Sequence, residues 1–265
     1  MRSPGPIAFE LFGLEVRWYG VLMAVAVLFG VFIACMRAKK YNFTNDKIFD
    51  YVLITVPLSF VGARLYYILF NYNYYAGDIF RMINVRAGGL AIHGALIFGL
   101  ITTIILCKIW KCDIWDFLDL VVPSVAIGQA IGRWGNFFNS EAHGGITDLP
   151  WAIIVDGQKV HPTFLYESIW CLILFFVLIL KERNFKGEIF LLYAILYSLE
   201  RFFVEYLRTD SLMLFGTIKQ AMLLSAVCFV VCAVLYYYKG TTSKKADKIF
   251  AFTNRPSKYK GRFKR

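Results

Sequence analysis

The run WYGVLMAVAVLFGVFIACM, residues 18–36, decides the fold of this chain, because it is apolar throughout and contains no charged residue. A membrane-spanning helix needs about 20 mainly apolar residues. Seven such segments occur: 18–36, 48–70, 90–107, 117–135, 163–180, 188–206 and 213–238. The fourth is the weakest, since it contains Asp119, Pro123 and Gln129. The pattern predicts an all-α polytopic membrane protein with seven transmembrane helices.

The composition supports a membrane location. The chain is 58% hydrophobic and 18% charged, whereas a soluble domain is about 45–50% apolar and about 25% charged. The net charge of +11 does not indicate a nucleic-acid-binding surface, because ten of the 29 Lys and Arg residues lie in residues 239–265. Such a tail is typical of a cytoplasmic segment near anionic headgroups. We predict membrane lipids as partners, no nucleic acid, a transmembrane domain over 1–238 and a basic cytoplasmic tail over 239–265.

The distribution of basic residues predicts the orientation of the helices. With seven spans and a cytoplasmic tail, the inner segments carry 19 Lys and Arg and the outer segments carry 6. This asymmetry follows the positive-inside rule and places the N-terminus outside. In the outer segment 136–162, two β-favouring runs, 151–155 and 158–160, flank Asp156-Gly157. The dipeptide predicts a β-hairpin in a small extracytoplasmic loop region.

Four basic residues lie inside the predicted spans, and a charge in hydrocarbon normally has a partner or a function. Helix direction places all four within roughly 10 Å of the outer interface, at about 1.5 Å per residue. For the lysine, snorkelling to the interface is the favoured interpretation. For the arginines we favour binding of a lipid phosphate, with pairing to Glu205 as the structural alternative. The four residues are Arg64, Arg133, Arg201 and Lys219.

The densest polar segment is GRWGNFFNSEAHG, residues 132–144, which holds an arginine, two amides and a carboxylate. Gly135 and Gly144 would let the chain turn out of the membrane. A second cluster, HPTFLYE at residues 161–167, opens the fifth span. Structural alternatives stay open here: Glu167 would be favourable at a helix N-terminus, and His161 would be a surface loop residue.

The sequence resembles the prolipoprotein diacylglyceryl transferases of bacteria. Residues 132–144 match that family's signature, Gly-Arg-x-Gly-Asn-Phe-x-Asn-x-Glu-x-x-Gly, at every fixed position. Ala95 is a mild departure, because many members have a second glycine after the histidine. The resemblance extends from residue 17 to about 238, and further matching elements follow the same order: 17–20, 93–94, 161–167 and 197–202.

The resemblance implies a transferase of the bacterial plasma (inner) membrane that performs the first step of lipoprotein maturation. Such an enzyme moves the diacylglyceryl group of phosphatidylglycerol to the lipobox cysteine thiol of a preprolipoprotein signal peptide. A thioether forms and glycerol 1-phosphate is released. The site must therefore stabilise a departing phosphate and ionise a thiol. We expect an active site at the outer leaflet, no cofactor and no metal.

The resemblance also implies roles for individual residues. Arg133 and Arg201 are expected to bind the phosphate, since a guanidinium fork binds phosphate bidentately. His93 is the leading candidate for the base that ionises the thiol, although it could only hydrogen-bond the lipid. Substrate-binding roles fall to Tyr19, Asn136, Tyr197, Asn139, Glu141 and Gly144. Secondary roles fall to Arg64, Arg208, His161 and Glu167.

Two other classes compete with this hypothesis. Transporters usually place polar groups near the bilayer midplane and often have repeated halves, and neither pattern is visible here. A lipid enzyme that acts at phosphorus would need clustered aspartates for metal ions or a His-x-Lys motif. The predicted spans contain no such cluster, and no histidine has a lysine two residues later.

Overall fold

The computed structural model describes residues 1–85, 88–214 and 216–253; for 244–253 it describes the backbone only. The helices are α1 (Trp18–Ala38), α2 (Asn45–Phe70), α3 (Tyr72–Tyr75), α4 (Ile79–Ile83), α5 (Ile92–Ile109), α6 (Ile114–Phe138), α7 (Thr163–Leu180), α8 (Glu188–Leu207) and α9 (Gln220–Thr253). The strands are β1 (Ile7–Leu11), β2 (Leu14–Arg17), β3 (Ile153–Val155), β4 (Gln158–Val160), β5 (Met213–Leu214) and β6 (Ile218–Lys219).

Six helices of the described residues are long and apolar enough to span a membrane: Trp18–Tyr41, Asn45–Phe70, Ile92–Ile109, Ile114–Phe138, Thr163–Leu180 and Gln220–Ser243. The prediction of an all-α polytopic membrane protein is therefore confirmed. Helix α8 is 20 residues long but is not among the six, because it carries Glu188, Glu200, Arg201 and Glu205.

The last predicted span has different bounds in the structure. The last span was expected over 213–238, but residues 213–214 and 218–219 pair as the antiparallel strands β5 and β6, and α9 begins at Gln220. Gly216, with a φ of 73°, lies in the turn between them. At its other end α9 continues past residue 239 to Thr253, so the predicted tail begins inside a helix; residues 254–265 lie outside the described residues.

The helices pack mainly as four pairs: α1 with α6, α2 with α5, α6 with α7, and α8 with α9. The largest core cluster joins Val122 and Ala126 of α6 to Leu174 and Leu178 of α7. Between α2 and α5 the backbones approach so closely that a Cβ atom at Gly94 would collide with the carbonyl oxygen of Gly62. Small residues allow such close approach of membrane helices.

The buried acid of α6 has structural partners. Asp119 is fully buried, and its carboxylate accepts hydrogen bonds from the backbone N–H groups of Gly187 (2.8 Å) and Phe190 (2.9 Å). These N–H groups lie at the first turn of α8, where backbone donors lack partners within the helix. Arg183 also contacts this carboxylate, at 3.5 Å. Asp119, which made the fourth segment the weakest candidate for a span, therefore joins α6 to the start of α8.

The loops at the opposite end of α6 contain short strands. β3 and β4 pair antiparallel around Asp156 and Gly157, whose φ angles are 50° and 80°. Isolated bridges join Gly144 to Arg208 and Arg2 to Ile154. The segment that follows α6 is thereby held against the C-terminal end of α8.

Candidate active site

Glu167 lies at the centre of an ion-pair cluster between α6, α7 and α8. It is one turn into α7 and only 1% exposed. Its Oε1 atom lies 2.6 Å from an Nη atom of Arg201, and its Oε2 atom lies 2.8 Å from an Nη atom of Arg133. One carboxylate thus holds both arginines side by side. The role of Glu167 is therefore more than that of a favourable charge at the N-terminus of α7.

Each arginine has a second partner on α8. Arg133 donates a hydrogen bond to the hydroxyl of Tyr197 (3.3 Å), and Arg201 pairs with Glu205 one helical turn away. The two guanidinium groups stay partly accessible, with exposed side-chain fractions of 19% and 18%. A guanidinium has five N–H donors, so each arginine keeps donors that these partners do not use.

The cluster extends beyond the C-terminal end of α8. Arg208 lies 3.9 Å from Glu205 and 2.8 Å from Asp210. Burial alone would raise the pKa of Asp210, but its hydrogen bonds from Arg208 outweigh this and lower the pKa. Arg208 is thus held between two carboxylates beside the central pair of arginines.

Lys219 does not snorkel from a transmembrane helix, which corrects the sequence interpretation. It lies in β6, before α9 begins. Its Nζ atom donates hydrogen bonds to the backbone oxygens of Glu205 (2.8 Å), Tyr206 (3.1 Å) and Arg208 (2.6 Å). A helix leaves its last carbonyl groups without donors inside the helix. The ammonium group of Lys219 supplies such donors at the end of α8.

The loop that follows α6 is fastened to the same helix ends. Gly144 donates a backbone hydrogen bond to His161 (3.0 Å), and Gly145 donates one to Leu207 (3.1 Å). Thr163, at the start of α7, donates a side-chain hydrogen bond to Ala142. A Cβ atom at Gly144 would lie 2.7 Å from the Cβ of His161, so only glycine fits there without movement.

The other predicted substrate-binding residues lie on α6, in the loop beyond it and at the start of α1. Asn136 lies one turn after Arg133 on α6, and its side-chain amide has no hydrogen bond within the described part of the chain. Asn139 donates a hydrogen bond to Glu141 (3.2 Å) in the loop beyond α6. Tyr19, at the start of α1, lies against Gly135, where a Cβ atom would be 2.5 Å from the tyrosine ring.

The contacts that Arg64 and His93 make are with residues outside this cluster. His93 is in the first turn of α5 and stacks on the ring of Tyr66 of α2, with ring centroids 5.9 Å apart. Among the described residues no hydrogen bond or ion pair joins it to the cluster. Arg64 is buried, and its guanidinium donates five hydrogen bonds of 2.7–3.0 Å to the backbone oxygens of Arg81, Met82, Asn84, Gly88 and Gly89. It holds the α4–α5 connection, and no donor of Arg64 is left for a phosphate.

The structure adds two groups that the sequence interpretation missed. Gln129 of α6 accepts a hydrogen bond from Tyr193 of α8 (2.8 Å), one turn from the Arg133–Tyr197 contact on both helices. Glu200, next to Arg201, is buried beside the cluster. Tyr193, Tyr197 and Glu200 are spaced by four and three residues, and this helical spacing could have revealed them as one face. No group of three or more His, Cys, Asp or Glu that could hold a metal occurs in the described ranges.

The fold and the site define a polytopic membrane protein with paired, partly accessible arginines where the ends of three helices meet. The family model for prolipoprotein diacylglyceryl transferase matches residues 6–238. The chain belongs to this family, and it is a transferase of lipoprotein biosynthesis.

Curated relatives support the same assignment over almost their whole lengths. The chain is 45% identical over 240 residues to the phosphatidylglycerol–prolipoprotein diacylglyceryl transferase of Clostridioides difficile, covering 90% of this chain and 96% of the relative. It is 44% identical to the protein of that name from Clostridium novyi (91% and 98%). It is 43% identical to the one from Finegoldia magna (91% and 99%).

Proposed function

We propose that this protein transfers the diacylglyceryl group of phosphatidylglycerol to the lipobox cysteine thiol of a preprolipoprotein, and that the Glu167 cluster binds the phosphate. The observation that carries the assignment of the site is the bridging carboxylate. The carboxylate oxygens of Glu167 lie 2.8 Å from Arg133 and 2.6 Å from Arg201, so two permanently charged guanidinium groups lie beside the same carboxylate. Two anchored guanidinium groups suit a phosphate, which offers several acceptor oxygens.

The acids around the arginines support this role. Glu167 and Glu205 fix the two forks and offset their charge, so the empty site does not hold two unpaired cations in hydrocarbon. A guanidinium anchored in this way needs no reorganisation when a phosphate arrives, which is the requirement for electrostatic stabilisation of a charge that develops during the reaction. Asn136 lies one turn after Arg133 on α6, and Tyr197 of α8 accepts a hydrogen bond from Arg133. From these positions the two side chains would orient the headgroup.

The proposed chemistry is a displacement at the glyceryl carbon. The thiolate sulfur forms a bond to that carbon, the bond from carbon to the phosphate oxygen breaks, and the electron pair leaves with the oxygen. The phosphate changes from a diester with one negative charge to a monoester that gains a second. Arg133 and Arg201 would stabilise this increase in charge, and the products are a thioether and glycerol 1-phosphate.

The thiol proton needs an acceptor, since a cysteine with a pKa of about 8.5 is only a few per cent ionised at pH 7. We propose His93 as this base, because an imidazole titrates near neutral pH. It lies in the first turn of α5 and stacks on Tyr66 of α2. An unchanged pH–rate profile in His93→Gln would rule out this role.

We propose that α8 is a seventh crossing and that the cluster faces the outer leaflet. Helix α8 has 20 residues and packs against both α7 and α9, which are apolar enough to span. The cluster lies at the C-terminal ends of α6 and α8, whereas Lys181, Arg183 and Lys186 lie at the opposite end of α8. By the positive-inside rule this opposite end is cytoplasmic, with the basic tail 239–265 on the same side as an extension of the single catalytic domain 1–238.

The test uses the purified full-length protein with phosphatidylglycerol and a lipobox peptide. Glycerol phosphate release and a thioether-linked peptide are expected, and a peptide with Cys→Ser should give neither. Arg133→Ala and Arg201→Ala should each reduce transfer by two orders of magnitude or more, at about 1.4 kcal/mol per factor of ten. Normal transfer in both variants would show that the phosphate binds elsewhere.

A further inference from the structure

Glu200 is a buried acid beside the arginine cluster. It lies on α8 next to Arg201 and is 6% exposed. Both carboxyl oxygens are shielded from solvent, and neither receives a hydrogen bond within the part of the chain that the structure describes. An ionised carboxylate in such surroundings is strongly unfavourable. Loss of hydration without a compensating hydrogen bond therefore favours the neutral acid over the carboxylate.

The surroundings of Glu200 couple it to the phosphate site. Helix α9 packs Cys232 against Leu191 and Ala194, earlier on α8. The titratable and charged groups that interact with Glu200 are Arg133 from α6, Glu167 and Cys171 from α7, and Tyr197 and Arg201 from α8 itself.

The charges of the cluster balance only while Glu200 is neutral. Arg133 and Arg201 carry two positive charges, and their direct partners Glu167 and Glu205 carry two negative charges. A bound phosphate adds one negative charge to this set. An ionised Glu200 would add another within Coulombic range of both arginines, and like charges in a medium of low dielectric constant repel strongly.

We propose that Glu200 sets the affinity of the site for the phosphate of phosphatidylglycerol through its own protonation. The neutral acid leaves Arg133 and Arg201 available to the phosphate, and its ionisation weakens binding. The inference rests on the proposed function. Because its oxygens are buried, Glu200 acts through the two arginines and is a positioning residue.

The test measures KM for phosphatidylglycerol between pH 6 and pH 9.5, with the purified full-length protein, the lipid in detergent micelles and a lipobox peptide. If ionised Glu200 prevents phosphate binding, KM rises by up to about tenfold per pH unit above its titration. Glu200→Gln is permanently neutral, so this rise should shrink to within about twofold over the range. The matched control is Glu182→Gln, which removes an exposed acid beyond α7 and should keep the wild-type rise.

A second variant keeps the proposal testable if Glu200→Gln does not fold. Glu200→Asp stays titratable but has a shorter side chain, so the rise should persist with a displaced midpoint. A rise in Glu200→Gln equal to that of the wild type would overturn the proposal, as would a constant wild-type KM or an unmoved midpoint in Glu200→Asp. Failure of the proposed function is distinct, because the wild type would then release no glycerol phosphate at any pH.

Discussion

Arg64 offers a sharp test of the difference between a phosphate-binding arginine and a structural one. Its guanidinium is buried and donates to five backbone oxygens between residues 81 and 89. We predict that Arg64→Ala destabilises the protein and that its effect on KM for phosphatidylglycerol is small. The reason is that all the donors point at the α4–α5 connection rather than at the cluster around Glu167.

The magnitude follows from these contacts. Hydrogen bonds to a charged group contribute about 1.5–3 kcal/mol each, but contacts of one side chain are not additive. A buried acceptor left without its donor costs about 1–3 kcal/mol, and we expect Arg64→Ala, which leaves five such oxygens, to cost about 3–5 kcal/mol in total. For a chain of this size the loss corresponds to a decrease in Tm of roughly 10 °C or more.

The assay is thermal unfolding in detergent, combined with KM for phosphatidylglycerol at a temperature where both proteins are folded. Arg81→Ala is the matched control: the Arg81 side chain is 60% exposed, forms a surface ion pair with Asp78 and lies over the ring of Tyr74, so about 1 kcal/mol or less is expected. A wild-type Tm together with a tenfold higher KM would refute the reasoning, because Arg64 would then be a phosphate ligand.

Three other substitutions test the cluster, the loop after α6 and the C-terminal end of α8. Glu167→Gln removes the charge that holds both arginines, and kcat/KM should fall by about 100-fold, or about 2.7 kcal/mol, in the peptide transfer assay. Gly144→Ala should lower transfer at least tenfold because its Cβ would lie 2.7 Å from His161, whereas Gly145→Ala, with its nearest atom at 4.0 Å, should not. Lys219→Met removes three hydrogen bonds from the end of α8 and should lower the free energy of unfolding by about 1–3 kcal/mol, measured by thermal unfolding.

A specific result would contradict each of these three predictions. Equal kcat/KM in Glu167→Gln and the wild type would mean that the bridging carboxylate does not position the arginines. Equal losses in Gly144→Ala and Gly145→Ala would point to general loop disorder rather than the specific contact with His161. An unchanged unfolding temperature in Lys219→Met would mean that water satisfies the last carbonyls of α8.

The helices were the most predictable part of this fold. Runs such as 163–180 matched α7 residue for residue, because hydropathy and helix length are properties of the local sequence. The start of α9 was less predictable. Residues 213–219 are largely apolar, and only the turn at Gly216 and the pairing of β5 with β6 show that the helix begins later.

The site was predictable as a set of residues and less so as a set of contacts. The signature segment and helix spacing selected Arg133, Arg201 and Tyr197, which the structure brings together. Arg64 was grouped with them only by its predicted depth in the membrane. That depth does not reveal the direction in which a side chain points. The partners of Arg64 are backbone oxygens, and a sequence pattern contains no information about these.

The composition of α8 has a consequence for how the protein is assembled in its membrane. With three glutamates and an arginine among its 20 residues, this segment would partition poorly into lipid alone. It packs extensively on α9, which is apolar, and the β5–β6 turn and Lys219 fasten the two together. If α8 crosses the bilayer as proposed, it enters as one arm of a helical hairpin whose other arm supplies the hydrophobicity. The translocation machinery would then have to hold α8 until α9 has been synthesised.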